Sequence, residues 1–234
     1  LVPWKSEYDW DDLKDIDEIK IWLHSAGTKV KTHGLRITSH PGPFNVLTSP
    51  HEHVVDNCVV DLTIHGDVFD MMGLSRTPYN KINIHVGGAY GDKPKSMERF
   101  CKNFEKLPKC VSDRLTVEND DKQSMYSVKE LYNGIHNIIG VPIVFDYHHH
   151  RFCDGGLGEQ EALELAISTW PKGIKPVVHY SESRSKERLD EKIKPQAHSD
   201  YVLEKINTYG HDVDIMIEAK HKELAVDKYL ELHG

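Results

Sequence analysis

The chain is short of cysteine, of long apolar runs and of positive charge, and each shortage removes a class of protein. Its 4 cysteines in 234 residues, Cys58, Cys101, Cys110 and Cys153, show no C-x-x-C spacing. They are too sparse to staple a small secreted fold, and a reducing compartment suits them best. No stretch approaches the roughly 18 to 20 apolar residues of a membrane span, so a soluble protein without a membrane partner is expected. Acidic residues outnumber basic ones 37 to 29, a net charge of -8. That balance argues against binding nucleic acid through bulk charge, although bound cations and local basic loops can override it.

What is present is a regular alternation of two periodicities. Apolar, β-branched runs occur at 34–40 (GLRITSH), 81–86 (KINIHV), 114–119 (RLTVEN), 141–146 (VPIVFD), 175–180 (KPVVHY) and 213–219 (VDIMIEA). Helical patterns are expected at 11–25, 52–72, 95–107, 128–138, 160–169, 199–208 and 220–232. Strands separated by helices predict a parallel sheet with right-handed crossovers. The fold class is α/β, and a TIM (β/α)8-type barrel suits a single domain over 1–234. Six strands are visible where that barrel has eight, and LVPW at 1–4 reads as the exit from a strand already cut off. The first one or two strands are therefore expected to be missing.

The polar residues follow the same order. His40, His85, Glu118, Asp146, His179 and Glu218 each stand at or near the C-terminal end of an expected strand. In a parallel β/α barrel those ends ring one pocket. Imidazoles mixed with carboxylates suit Mn, Zn or Fe, whereas Mg and Ca prefer oxygen alone. A shared transition-metal site is the expectation from the residues themselves.

The motifs TSHPG (38–42), NIHVGGAYGDK (83–93), LTVENDD (115–121), VFDYHHH (144–150), VVHYSES (177–183), QAHSDYV (196–202) and VDIMIEAKHKE (213–223) resemble, in order and approximate spacing, the ultraviolet damage endonuclease family over almost the whole chain. The resemblance implies a TIM barrel that holds divalent metals, usually manganese, and nicks DNA 5′ of ultraviolet photoproducts, leaving a 3′-hydroxyl and a 5′-phosphate. It implies two or three ions, Mn2+ first, with Zn2+ or Mg2+ as alternatives. Glu118 would bridge two metals, with His40 and His85 on one and His179 and Glu218 on another. Asp146, His149 and His198 would share a third. The resemblance further implies a catalytic set of Glu118, Asp146, Glu218 and His179, and as partner damaged double-stranded DNA, bound by a monomer.

A DNA-facing set is expected at Pro43, Phe44, Tyr90, His150, Arg184, Lys186, Arg188 and Lys220, with packing or solvated roles as the alternative for each. His148 is expected to be packed or solvated. Gly87 and Gly88 would allow a tight turn beside the site. Three residues depart from the family pattern. Val177 stands where some members carry a carboxylated lysine, with Lys175 sharing its parity, and Pro43-Phe44 replaces Gln-Tyr. An abasic-site endonuclease of the endonuclease IV type shares the same logic. A sugar isomerase of the xylose-isomerase-like superfold lies further away, and a metal-binding barrel fragment without turnover is the non-enzymatic alternative.

Overall fold

The computed structural model describes residues 9–234, so the strand exit expected at 1–4 lies outside the described residues. The fold is α/β, with five strands among the described residues and helices after each. This is the β/α alternation of a TIM barrel, with fewer than the eight strands that close one. The chain divides into two compact units, one ending at Val117 and one beginning at Glu118.

In the first unit two long helices, α1 (Ile16–Thr32) and α2 (Glu52–Met71), precede β1 (Ile82–His85). Helices α3 (Lys93–Phe104) and α4 (Lys109–Ser112) follow, and then β2 (Leu115–Glu118). Asp92 caps α3 through its side chain, which accepts from the backbone of Lys95. Leu62, Ile82, Ile84, Phe100, Val111 and Val117 are buried.

The run expected as a strand at 34–40 is not one. Only Ser39 bridges to Ile82, in the parallel sense. Side chains replace the ladder on either side of it. Asn80 Nδ2 donates to the carbonyl of Ile37 at 3.1 Å, and Arg36 donates to the carbonyls of Tyr79 and Pro78. The Ile37 carbonyl is thus satisfied by a side chain in place of a neighbouring strand.

The second unit carries α5 (Val128–Leu131), a π-helical turn (Tyr132–His136) and α6 (Asn137–Ile139) before β3 (Ile143–Asp146). Next come α7 (Tyr147–His150), α8 (Glu159–Ser168), β4 (Val177–Tyr180), α9 (Arg184–Glu187), β5 (Asp214–Ile217) and α10 (Glu223–His233). β3 pairs with β4 and β4 with β5, all parallel, with Asp146 opposite His179 and His179 opposite Met216. Buried Val144, Trp170 and Val177 pack together, and Trp170 Nε1 donates to the carbonyl of Ile143 at 2.8 Å.

The helix expected at 199–208 is also absent. Its backbone N–H groups are taken by acids from elsewhere in the chain. Glu187 accepts from Asp200 and Tyr201 at 2.7 and 3.0 Å, and Glu182 accepts from Leu203 and Glu204 at 2.8 Å each. The N–H groups of Leu203 and Glu204 therefore cannot donate to the i−4 carbonyls that a helix there would need.

The buried Arg114 fixes the base of the first unit. It donates to the carbonyls of Cys110 (2.7 Å), Leu74 (2.8 Å) and Ser75 (3.0 Å) and pairs with Asp70 at 2.8 Å. Replacing it with alanine strands several buried acceptors at once. Arg114→Ala should therefore lower stability by about 3 kcal/mol or more, read from the urea midpoint. A loss below about 1 kcal/mol would show that water replaces the guanidinium at little cost.

Candidate functional site

The last residue of β3 begins the site. One carboxylate oxygen of Asp146, Oδ1, accepts from the backbone N–H of His149 at 2.7 Å and so caps α7. This single turn of helix is why three adjacent histidines have three different environments. His149 comes back over Asp146, with Nδ1 3.9 Å from Asp146 Oδ2 and 3.5 Å from Glu118 Oε1. His148 is enclosed, its ring edge-on to Phe152 and His198. His150 is only 4% exposed and lies against Phe145, with centroids 5.3 Å apart.

Asn119 was not expected to matter, yet it aligns this corner. Its side chain donates to the carbonyl of Asp146 at 3.0 Å and accepts the Asp146 N–H at 2.9 Å. Its own carbonyl lies 2.9 Å from His149 Nδ1. If Nδ1–H donates there, Nε2 is left as the lone-pair nitrogen. The signal in the sequence was an amide directly after the strand-end Glu118.

At the end of β4, His179 Nδ1 lies 2.9 Å from Glu218 Oε1 and 3.2 Å from Glu118 Oε2. One imidazole nitrogen thus meets two carboxylates. His198 is held beside them because residues 183 and 198 form an antiparallel bridge, and its Nδ1 is 3.6 Å from Glu218 Oε2. Glu118, Asp146, His149, His179, His198 and Glu218 are therefore neighbours within the second unit.

The electrostatics are those of crowded acids. Burial pushes the Asp146 carboxyl up to about 6, with Glu118 and Glu218 adding to the rise and His149 opposing it. Burial also acts to raise Glu218, but the hydrogen bond and charge of His179 outweigh it and bring Glu218 down to about 2. Burial lowers His198, and it lowers His148 to about 4, which favours neutral imidazoles.

A divalent cation fits this set. Ligand atoms from Glu118, His179 and Glu218 lie within 4.8 Å of one another. Asp146 Oδ2 is buried and makes no hydrogen bond. A buried carboxylate oxygen without a donor is costly unless a cation compensates it. Mixed imidazole and carboxylate donors are those of a transition-metal site.

In the first unit, the rings of His40 and His85 stand 5.7 Å apart. Gly87 has φ 101°, and a Cβ there would meet Val46 at 2.7 Å, so only glycine lets β1 turn this closely past the loop after His40. Tyr90 is half exposed and lies over the Arg99 guanidinium, 5.5 Å from ring centre to carbon. Pro43 is exposed, and Phe44 is 84% exposed.

The basic residues of the second unit differ among themselves. Arg184 and Arg188 both pair with Asp200, while Lys186 is exposed. Lys220 is exposed and precedes α10, its backbone N–H donating to the carbonyl of Ser199 at 2.9 Å. Val177 is buried. Lys175 turns to Asp212 at 2.6 Å and Asp214 at 3.9 Å, at the opposite end of its strand from His179.

Comparison with known proteins decides the family. The model of UV-endonuclease UvdE matches residues 6–233. The chain belongs to the UV-endonuclease UvdE family. A UV DNA damage endonuclease of Bacillus thuringiensis subsp. konkukian (strain 97-27) is 42% identical over 222 residues, covering 90% of this chain and 66% of the relative. The chain thus spans just under two thirds of the length of the first curated relatives it matches. The crystal structure of SacUVDE superposes with a TM-score of 0.82 at 33% identity, covering 97% of this chain and 74% of that one. A D-tagatose 3-epimerase-like protein shares the fold alone, at TM-score 0.62 and 15% identity, covering 89% and 82%. No helix among the described residues is long and apolar enough to cross a membrane.

The acid cluster has a measurable cost in the absence of metal. The folded pKa of Asp146, about 6, lies above the roughly 3.9 of an unfolded aspartate. Its contribution to stability is complete below about pH 4 and is lost as the pH rises through 6. Glu218 runs the other way, its contribution present above about pH 4.3 and lost only as the pH falls toward 2. In chelator-treated protein, Asp146→Asn should therefore be more stable than the parent at pH 7, by roughly 2 to 3 kcal/mol, with the gap closing toward pH 4. Denaturant melts at several pH values check this. A gap that does not change with pH would contradict the placement of Asp146.

Proposed function

We propose that this chain is a metal-dependent endonuclease that nicks damaged duplex DNA on the 5′ side of ultraviolet photoproducts, leaving a 3′-hydroxyl and a 5′-phosphate. The observation that carries the reading is the meeting of Glu118 and Glu218 at one nitrogen of His179, beside buried Asp146, in a member of the UvdE family. The curated relatives named UV DNA damage endonuclease support the substrate class. The family resemblance adds His40 and His85 to the ligand set and favours manganese, in two or three ions.

Bound divalent cations would supply Lewis acidity and charge neutralisation at a phosphodiester. The chain's own residues prepare for that chemistry. Glu118 presents one oxygen toward His149 and the other toward His179, so it can serve two neighbouring positions. Asp146 spends one oxygen on the cap of α7 and keeps the other for the cluster. Asn119 holds Asp146 and His149 in register, the kind of outer support on which ligand geometry depends. Val177 offers no ligand and Lys175 is engaged with Asp212, so the support for binding metal rests on the histidines and acids alone.

For DNA we assign contacts to Phe44 and Tyr90 in the first unit and to Lys186 and Lys220 in the second, each of which is exposed. Pro43 shapes the loop that presents Phe44. Arg184 and Arg188 are assigned to it through their exposed portions, with Asp200 fixing their direction. His150 is left out, because a buried ring offers nothing to a phosphate.

Supercoiled plasmids that are ultraviolet-irradiated, depurinated or untreated separate this reading from an abasic-site endonuclease and from a barrel without turnover. Nicking of irradiated plasmid should require added divalent metal, with Mn2+ most effective. Glu118→Gln should reduce it by more than about 100-fold while leaving the fold intact by circular dichroism. Nicking that survives exhaustive chelation, or equal nicking of all three plasmids, would overturn the proposal.

A further inference from the structure

The loop that follows His40 is gripped at both ends by one turn of α2. At its start, Ser39 Oγ is hydrogen-bonded to His65 Nδ1 at 2.7 Å. At its far side, the buried Asn45 donates through Nδ2 to Asp61 Oδ2 at 2.8 Å. Asp61 and His65 are four residues apart on α2, hence on one face, and His65 Nε2 is 4.0 Å from the same Asp61 oxygen. Asn45 also closes the turn between the grips, with its amide and backbone N–H groups both directed at the carbonyl of Gly42, at 3.2 and 3.3 Å.

Phe44 stands on that turn. Its ring lies over Gly42, where an added Cβ would come within 3.2 Å of it, and most of it faces solvent. Yet Phe44 stands at the edge of a cavity of about 360 Å³ that it lines together with Asn45, Val54, Cys58 and Asp61, and into which a freed ring could sink. Burial in such a cavity is the favoured fate of an aromatic ring on a slack loop. Asp61 meets the loop through Asn45, and its neighbour His65 meets it through Ser39, so α2 acts on Phe44 by way of the loop.

We infer that Asp61 is a positioning residue for damage recognition. Through Asn45 it holds the turn Gly42–Asn45 closed and keeps Phe44 out of the neighbouring cavity, so that the ring is already placed to probe a weakened base step. The inference rests on the reading of Phe44 as DNA-facing given above. A preordered probe binds an unstacked step without first ordering itself, which favours damaged over intact duplex.

The test uses the 234-residue chain with Mn2+, labelled with 4-fluorophenylalanine, the resonance of Phe44 being assigned by its loss in Phe44→Leu. Asp61→Ala should shift or broaden that resonance, while Asp61→Asn, which keeps an oxygen to accept from Asn45, should not. In parallel, the ratio of affinities for irradiated and intact duplex at one salt concentration should fall by about fivefold or more in Asp61→Ala and stay within about twofold of the parent in Asp61→Asn. Mn2+ binding by titration should be the same in all three proteins. Should Asp61→Ala fail to fold, Asn45→Asp, which sets a second carboxylate against Asp61, is expected to release Phe44 in the same way. A parent without preference for irradiated duplex would sink the proposed function, and the fluorine resonance would then decide the pin by itself. An unmoved resonance, or an unchanged affinity ratio in a parent that does discriminate, overturns the inference.

Discussion

Carboxylates buried close together are the constraint on which this molecule is organised. Glu118 and Asp146 are fully enclosed, and Glu218 shares the His179 nitrogen with Glu118. In an interior of low polarity such a group is strongly unfavourable without compensation. Three imidazoles supply part of it. Under the proposed function a cation supplies the rest, and the donor set around the acids fits one. Asp146 has one oxygen fixed and one free of hydrogen bonds, and Asn119 pins the backbone and side chains on either side.

Local structure serves that constraint. A strand that ends in a capping aspartate and turns at once into helix returns the residue three positions on to the same spot, which places His149 and not its neighbours. A bridge between residues 183 and 198 delivers a histidine that no strand end could supply. In the first unit, glycine at 87 lets a loop pass close to the end of β1. Each device converts a position in sequence into a direction for a side chain.

Much of this was legible in the sequence, and the part that was not has a common cause. Strand ends carrying His85, Glu118, Asp146 and His179 could be read from period and residue type, because those strands are largely buried runs whose final polar residue stands out, and Glu218 could be read from an apolar run although its strand is only partly buried. The expected strand at 34–40 and the expected helix at 199–208 fail for the same reason. Their backbone groups are claimed by distant side chains, Asn80 at the Ile37 carbonyl in one case and Glu182 and Glu187 in the other. Local propensity does not register a partner that is tens of residues away. The different environments of His148, His149 and His150 were hidden likewise, since they depend on a cap that turns strand into helix.

The central claim is that a divalent cation completes the acid cluster. Crystals grown with Mn2+ and measured at wavelengths on both sides of the manganese absorption edge test it most directly. The account expects anomalous density bounded by Glu118, His179 and Glu218, and further density beside Asp146 and His149. Ordered water alone at those positions, with Asp146 hydrogen-bonded as a neutral acid, would contradict it.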